Sequence, residues 1–327
     1  MLSHHAGAGP PTSGPRTWRP WRPAWVDAAY GPAGFWTTQQ PQDHFTTAVG
    51  AGPLVAAAVA GCVPPGGRVV VDVGAGDGAL LATLADRLRD AHLVGVDRRP
   101  RPPGLHPRIR WVSDHWDVDR ERWADGGPEA WAGGGAAPLL VAHEWLDDLP
   151  VAVVERRAEG WRLVEVDPDG HERLGDEVGS DDRAWLTRWW DEGRRAEVGR
   201  PRDVAWAALV RAAVGGGGRA LAVDYGHRAG GRPSGGTFAA YGRGRLRVPV
   251  PDGSVNLTAA VAVDALARAG EATGAPTLLL ERQTAVLASV PDTPAGPLER
   301  LVRRSERAAL AHPGRWGDLW WLLQGGP

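Results

Sequence analysis

Residues 68–73, Arg68-Val69-Val70-Val71-Asp72-Val73, form a short β-branched run that stops at Gly74. One glycine-rich turn later, apolar residues recur at helical spacing from Ala79 to Leu88. This strand, tight turn and helix constrain the fold more than any other segment, because a strand apolar at nearly every position needs cover on both faces. The pattern recurs: residues 92–97, 109–112 and 139–142 read as second, third and fourth strands, and 219–224 and 277–281 resume it further on. Strands alternating with helix-length segments predict an α/β fold, a Rossmann-like parallel sheet with helices on both faces.

The winding is interrupted after the fourth strand. Residues 151–154 and 161–164 flank the turn-like Ala158-Glu159-Gly160 and predict a hairpin, while 181–197 and 203–214 predict helices. The first of these helices carries Trp185, Leu186, Trp189 and Trp190 on or near one face, which reads as a packing face. Residues 227–236, rich in Gly, Arg and Pro, follow a strand's carboxyl end, where open α/β sheets place ligand loops, and are a candidate lid. Helices are predicted over 258–269 and 297–311, before a Trp-rich tail.

Composition narrows the function classes. The formal net charge is -2 and the pI about 6.6, so no global field attracts a nucleic acid or an anionic membrane, and neither is expected as a partner. Every basic charge is an arginine, which reads first as coding bias toward GC. The single cysteine, Cys62, cannot form an internal disulfide, and His4 and His5 have no acidic or Cys neighbours, so no metal site is expected. With no signal-peptide core and no apolar run of membrane-spanning length, a cytoplasmic location is the expectation.

Gly74, Gly76 and Gly78 leave the turn after the first strand without side chains, so backbone can approach a nucleotide-like cofactor. Read loosely, these glycines with Asp97 also satisfy a dinucleotide fingerprint. Asp72 separates the two readings. A carboxylate just before the loop opposes a pyrophosphate and suits the ammonium and sulfonium of S-adenosylmethionine, the cofactor expected here. The expected cofactor residues are Asp72, Gly74, Ala75, Gly76 and Gly78, with Asp97 for the ribose hydroxyls and Asp114 for the adenine amino group. His115 or Trp116 would flank the ring.

At the end of the fourth strand, His143-Glu144-Trp145-Leu146-Asp147-Asp148-Leu149-Pro150 resembles the Asn-Glu-x-x-Asp-Ala-x-Pro motif of the MidA-type methyltransferase family. Further similar segments follow in order: residues 30–36 with 44–47, Asp224-Tyr225-Gly226, Gly236-Thr237 with Ala240-Tyr241, 256–261 and 315–319. The resemblance spans roughly residues 18 to 325. It implies a class I methyltransferase core with an N-terminal helical cap and an α+β insertion after the fourth strand, in an actinobacterial-type member. The expected division is a disordered tail over 1–17, the cap over 18–65, the cofactor half over 66–150, the insertion over 151–215, and the remaining core with its C-terminal helix over 216–327.

Eukaryotic members of that family include a mitochondrial assembly factor for respiratory complex I that dimethylates an arginine of a partner subunit, so the resemblance implies a protein substrate. Methyl transfer is an in-line displacement in which positioning dominates. For a guanidinium nucleophile, Glu144 and Asp147 are the expected catalytic acids. His143 stands where the family has Asn and is either a base or a structural replacement. Asp224, Tyr225 and Tyr241 are the expected acceptor-side residues. Asp148 replaces the family's Ala, and the His that often follows the Tyr241 motif is absent. A small-molecule methyltransferase and a non-catalytic assembly scaffold retaining the cofactor pocket are the alternatives.

Overall fold

The computed structural model describes residues 16–133, 137–291 and 296–326, so most of the expected N-terminal tail, with His4 and His5, lies outside the described residues. The central sheet is built from β1 (Val69–Val73), β2 (His92–Asp97), β3 (Ile109–Ser113), β4 (Leu139–His143), β5 (Arg219–His227), β6 (Thr277–Arg282) and β7 (Leu319–Gly325). Their order is β3-β2-β1-β4-β5-β7-β6. Strands β1 to β5 are parallel, and β7 runs antiparallel to both β5 and β6.

The β-branched run of β1 is buried at every position because alternate side chains enter two different cores. Val69, Val71 and Val73 face α5 (Arg200–Gly215) and α6 (Val263–Glu271), whereas Val70 faces α2 (Leu54–Gly61) and α3 (Ala79–Arg87). Helices therefore cover both faces, as the alternation of strand and helix patterns predicted.

The insertion packs as a second, smaller antiparallel sheet. Its strands are Arg19–Pro20, Gly160–Val166, Ala152–Arg157 and Arg195–Val198 in that order, with Glu172–Glu177 also paired to Gly160–Val166. The cap helix α1 (Trp21–Tyr30) buries Trp21, Ala24 and Trp25 against Val151, Val153, Val164 and Val166.

Four sequence expectations change. The helix expected over 181–197 ends at Trp189, giving α4 (Ser180–Trp189). The chain turns through Gly193 at φ 95, and Ala196 and Val198 then alternate into a strand. The helix expected from 258 starts at Val263, because Asn256–Thr258 and Val261–Ala262 pair as strands. The Trp-rich tail is β7, filling the sheet between β5 and β6. The candidate lid over 227–236 is pinned: the Arg232 guanidinium donates to the Trp189 carbonyl (2.7 Å) and to Asp264 (2.6 Å), and the Arg194 amide donates to the Ser234 carbonyl (2.7 Å). A segment held by a buried arginine fork at one end and backbone pairing at the other is a fixed strap on the insertion.

Candidate active site

A cavity of about 250 Å³ opens at the carboxyl ends of β1 to β4, where doubly wound sheets bind ligands. Its wall is assembled from the glycine loop (72–77), the ends of β2 and β3, the loop after β4, and the cap residues Tyr30, Trp36, Phe45, Thr46 and Thr47.

The glycine loop is shaped by positive φ at Gly74 (71°), Gly76 (62°) and Gly78 (79°). At Gly74 there is also no room: a Cβ would lie 2.5 Å from Cδ1 of Trp145. The loop's amides are committed to protein acceptors. Those of Gly74 and Ala75 donate to the Val96 carbonyl (2.9 and 3.0 Å), that of Gly76 to Oδ2 of Asp97 (2.9 Å), that of Gly78 to the Ala75 carbonyl (2.8 Å), and that of Ala79 to Oδ1 of Asp77 (3.0 Å). This corrects the expectation of loop amides facing a ligand. A pyrophosphate would meet these occupied donors and the carboxylates of Asp72, Asp77 and Asp97, which weighs against the dinucleotide reading.

Asp72 lies buried in the cavity wall. Its carboxyl is pushed up to about 8, chiefly by burial and further by the charges of Asp97 and Asp77. Such a group favours a cationic ligand, which would restore its ionised form. Asp97 keeps acceptor capacity after bonding the Gly76 amide and the Arg99 backbone and side chain.

Asp114 is a correction. Its oxygens accept from the amides of His115 (2.7 Å), Asp125 (2.9 Å) and Gly127 (3.1 Å) and from Nε1 of Trp131 (2.9 Å). Four donors exhaust a carboxylate, so Asp114 anchors the loop after β3 and has no acceptor left for an adenine amino group. His115 and Trp116 both line the cavity beside it, and Trp116 packs edge-on against Trp123.

The part of the wall that follows β4 is also acidic. Glu144 adopts φ 49, in the left-handed region that costs an L side chain about 1–2 kcal/mol and that concentrates at functional sites. Its Oε1 accepts from the Ala48 amide at 2.8 Å and lies 3.5 Å from Nδ1 of His143, and burial raises its carboxyl to about 8. His143 is lowered to about 4 by burial, so it is neutral near pH 7, and its Nε2 is buried without a partner.

Asp147 does not line the cavity. Its Oδ2 accepts from Oγ1 of Thr258 at 2.8 Å, which turns it away, and the cavity wall carries Asp148 instead. Oδ1 of Asp148 accepts from Nδ2 of Asn256 at 3.0 Å, and burial with the nearby Asp147 charge raises its carboxyl well above the ordinary range. Asp148, which stands where the resembled motif has Ala, is thus the one in the cavity wall.

Asp224 and Tyr225 are also outside the wall. Asp224 accepts from the amides of Leu146 (2.9 Å), Asp147 (3.3 Å) and Tyr225 (2.8 Å), so it fixes the loop after β4 from beneath. Tyr225 packs with the core on the α2 and α3 side, and Tyr241 sits 40% exposed on a hairpin outside the cavity.

The sequence reading missed Arg202. Fully buried on α5, it donates to the carbonyls of Leu149 (3.0 Å), Ala259 (2.7 Å) and Asp147 (2.7 Å), stapling the acidic loop to the chain near Thr258. It also missed the aromatic wall of Trp36, Trp123 and Trp145, with Trp123 and Trp145 stacked at 5.7 Å. Trp145, inside the motif, and Trp36, closing the matched 30–36 segment, carried a local signal; Trp123 did not.

Residues 60–280, more than half of the chain, match the sequence profile of a family described as "Putative S-adenosyl-L-methionine-dependent methyltransferase". The chain belongs to this methyltransferase family. The methyltransferase also shares its fold with two crystal structures from Burkholderia thailandensis. One is described as a "likely methyl transferase" bound to S-adenosyl-homocysteine (23% identity, TM-score 0.74, covering 94% of this chain and 88% of that one). The other is the native structure of an uncharacterized member of the same superfamily (23% identity, TM-score 0.73, covering 94% and 87%). No curated protein matches the sequence. The enzyme uses S-adenosylmethionine, and the acidic cavity fits that cation. Among the described residues, no helix of the methyltransferase is long and apolar enough to cross a membrane.

Proposed function

We propose that this enzyme is a MidA-type methyltransferase whose acceptor is the guanidinium of a protein arginine. The observation that carries the reading is the second acidic grouping in the cavity wall, where Glu144 and Asp148 are both buried, both raised, and share the wall with the donor-side Asp72. Two acidic groupings in one wall, one on β1 and one in the loop after β4, suit two cations, the cofactor and the acceptor.

In this reading Asp72 takes the cofactor's ammonium, Asp97 its ribose hydroxyls, and His115 flanks the adenine, with the turn of Gly74, Ala75, Gly76 and Gly78 making room. The bound cofactor supplies an electrophilic methyl group. Glu144 would grip the guanidinium fork, and because its affinity for a proton is high it would accept the proton that the attacking nitrogen sheds as the N–CH3 bond forms and the S–CH3 bond breaks to leave a neutral thioether. Asp148 holds the far side of the fork, and the aromatic wall excludes water. Asp147, Asp224 and Arg202 position the loop that carries both acids.

A small hydroxyl-bearing acceptor is the second reading, favoured by the unpartnered Nε2 of neutral His143 in the wall. The test is incubation with methyl-labelled S-adenosylmethionine and lysate from a strain lacking the protein, with Asp97→Ala as control. We expect a labelled protein band yielding methylarginine on hydrolysis. Label confined to small molecules would replace this reading with the second, and no label despite cofactor binding would indicate a scaffold.

A further inference from the structure

The hairpin Ala239–Gly242 and Arg245–Arg247 lies outside the cavity and plays no part in the chemistry above. Its strands sit in a three-stranded sheet in which Arg245–Arg247 is an edge, with all three residues exposed. The two-residue turn is Arg243-Gly244, with both residues at positive φ (51° and 71°). Such turns favour Asn-Gly, so an arginine at the first position places a cation at the tip at a conformational cost.

Three features coincide on this edge. Arg243, Arg245 and Arg247 form no ion pair among the described residues, making a cationic strip on a chain whose net charge is -2. Tyr241 pairs across from Leu246, and with Val248 they form an exposed apolar row (40%, 67% and 73% exposed). Alternation in the ladder turns the backbone of Leu246 away from its only partner strand. Unpaired edges of this kind accept an added strand.

The hairpin is also tied to the cavity at two points. The Gly244 amide donates to the His44 carbonyl (2.6 Å), next to the wall residues Phe45, Thr46 and Thr47. Tyr241 pairs with Asn256, whose side chain bonds Asp148 in the wall.

We infer that the edge strand Arg245–Arg247 is the docking site for an extended acidic segment of the acceptor protein, which adds as a strand with its carboxylates on the three arginines and apolar side chains on Tyr241, Leu246 and Val248. This rests on the reading of the acceptor as a protein arginine. Charge complementarity selects the partner, and strand pairing sets its register toward Glu144 and Asp148.

The test uses the full chain with S-adenosylhomocysteine bound and a fluorescent synthetic peptide with one central arginine flanked by alternating acidic and valine residues. Its Asn/Gln counterpart and a version N-methylated on alternate residues serve as comparisons. The acidic peptide should bind about tenfold more tightly than the neutral one, and Arg243→Glu, Arg245→Glu and Arg247→Glu combined should abolish that advantage while leaving S-adenosylhomocysteine affinity and melting temperature unchanged. N-methylation should remove binding. Equal binding of the two peptides, or indifference to the triple reversal, overturns the inference. Arginine-strip-dependent binding without methylarginine in a turnover assay would sustain the docking site and overturn the arginine reading. Methylation unaffected by the reversal would do the opposite.

Discussion

The two ends of the cavity are built differently. The donor end comes from the turn after β1 and the ends of β2 and β3, all within residues 72–123. The proposed acceptor end draws on the cap at Ala48, the loop after β4, Arg202 from α5, Asp224 from β5 and Thr258 beyond the hairpin. A site made by consecutive turns of one sheet can be read from its local pattern. One made by buried long-range bonds cannot, because the deciding contacts are between residues up to about a hundred positions apart.

Exchanging acids one at a time within the loop after β4 is the sharpest way to test the comparison. Glu144→Gln should lower turnover about 100-fold or more, while S-adenosylhomocysteine affinity stays within about twofold. Asp147→Asn, which alters an acid outside the wall, should cost less than about fivefold in turnover. Steady-state assays with calorimetric titration decide it, and equal losses in the two variants would return Asp147 to the catalytic pair.

A smaller effect tests the donor end. Asp114→Asn puts an amide where four donors converge, and should destabilise the protein by about 1–3 kcal/mol, a melting shift of several degrees, with cofactor affinity of the folded protein nearly unchanged. Lost affinity at an unchanged melting temperature would make Asp114 an adenine ligand after all.

The smallest expected effect is on pH dependence, and both ends contribute to it. Asp72 and Glu144 are each raised to about 8, so folding favours their protonated forms. The stability this confers is complete below the ordinary carboxylate range near pH 4 and is lost as pH rises through about 8. The ligand-free melting temperature should therefore fall by a few degrees between pH 6 and pH 9. Asp72→Asn should flatten the slope, and bound S-adenosylhomocysteine, through its ammonium, should flatten it too.

The parallel half of the sheet was legible because β1 to β4 carry short, mostly apolar runs bounded by glycine or polar residues. The tail was not: Leu319-Trp320-Trp321-Leu322-Leu323 reads equally as strand or buried helix until its partners β5 and β6 are known. At the site, the glycine turn, Asp72, Glu144 and His143 were identified from sequence as residues that the structure brings into one wall. The choice between Asp147 and Asp148, adjacent and chemically identical, depends on whether Thr258 or Asn256 bonds each one, which no local pattern encodes. Asp224 lies outside the wall, and Asp114 lies in it with its oxygens already bonded, for a related reason. An acid at a strand's end suits a ligand or a converging set of amides equally well in one dimension.

The strand order also sets a timetable. Strand β6 is hydrogen-bonded only to β7, and β7 occupies the place between it and β5. During synthesis β5 must wait with a bare edge for some ninety residues, and β6 has no sheet to join, until the last strand emerges and zips both sides together. Because β5 pairs directly with β4 and carries Asp224, the loop after β4 can be fixed before β7 arrives, whereas β6 joins the sheet only through β7.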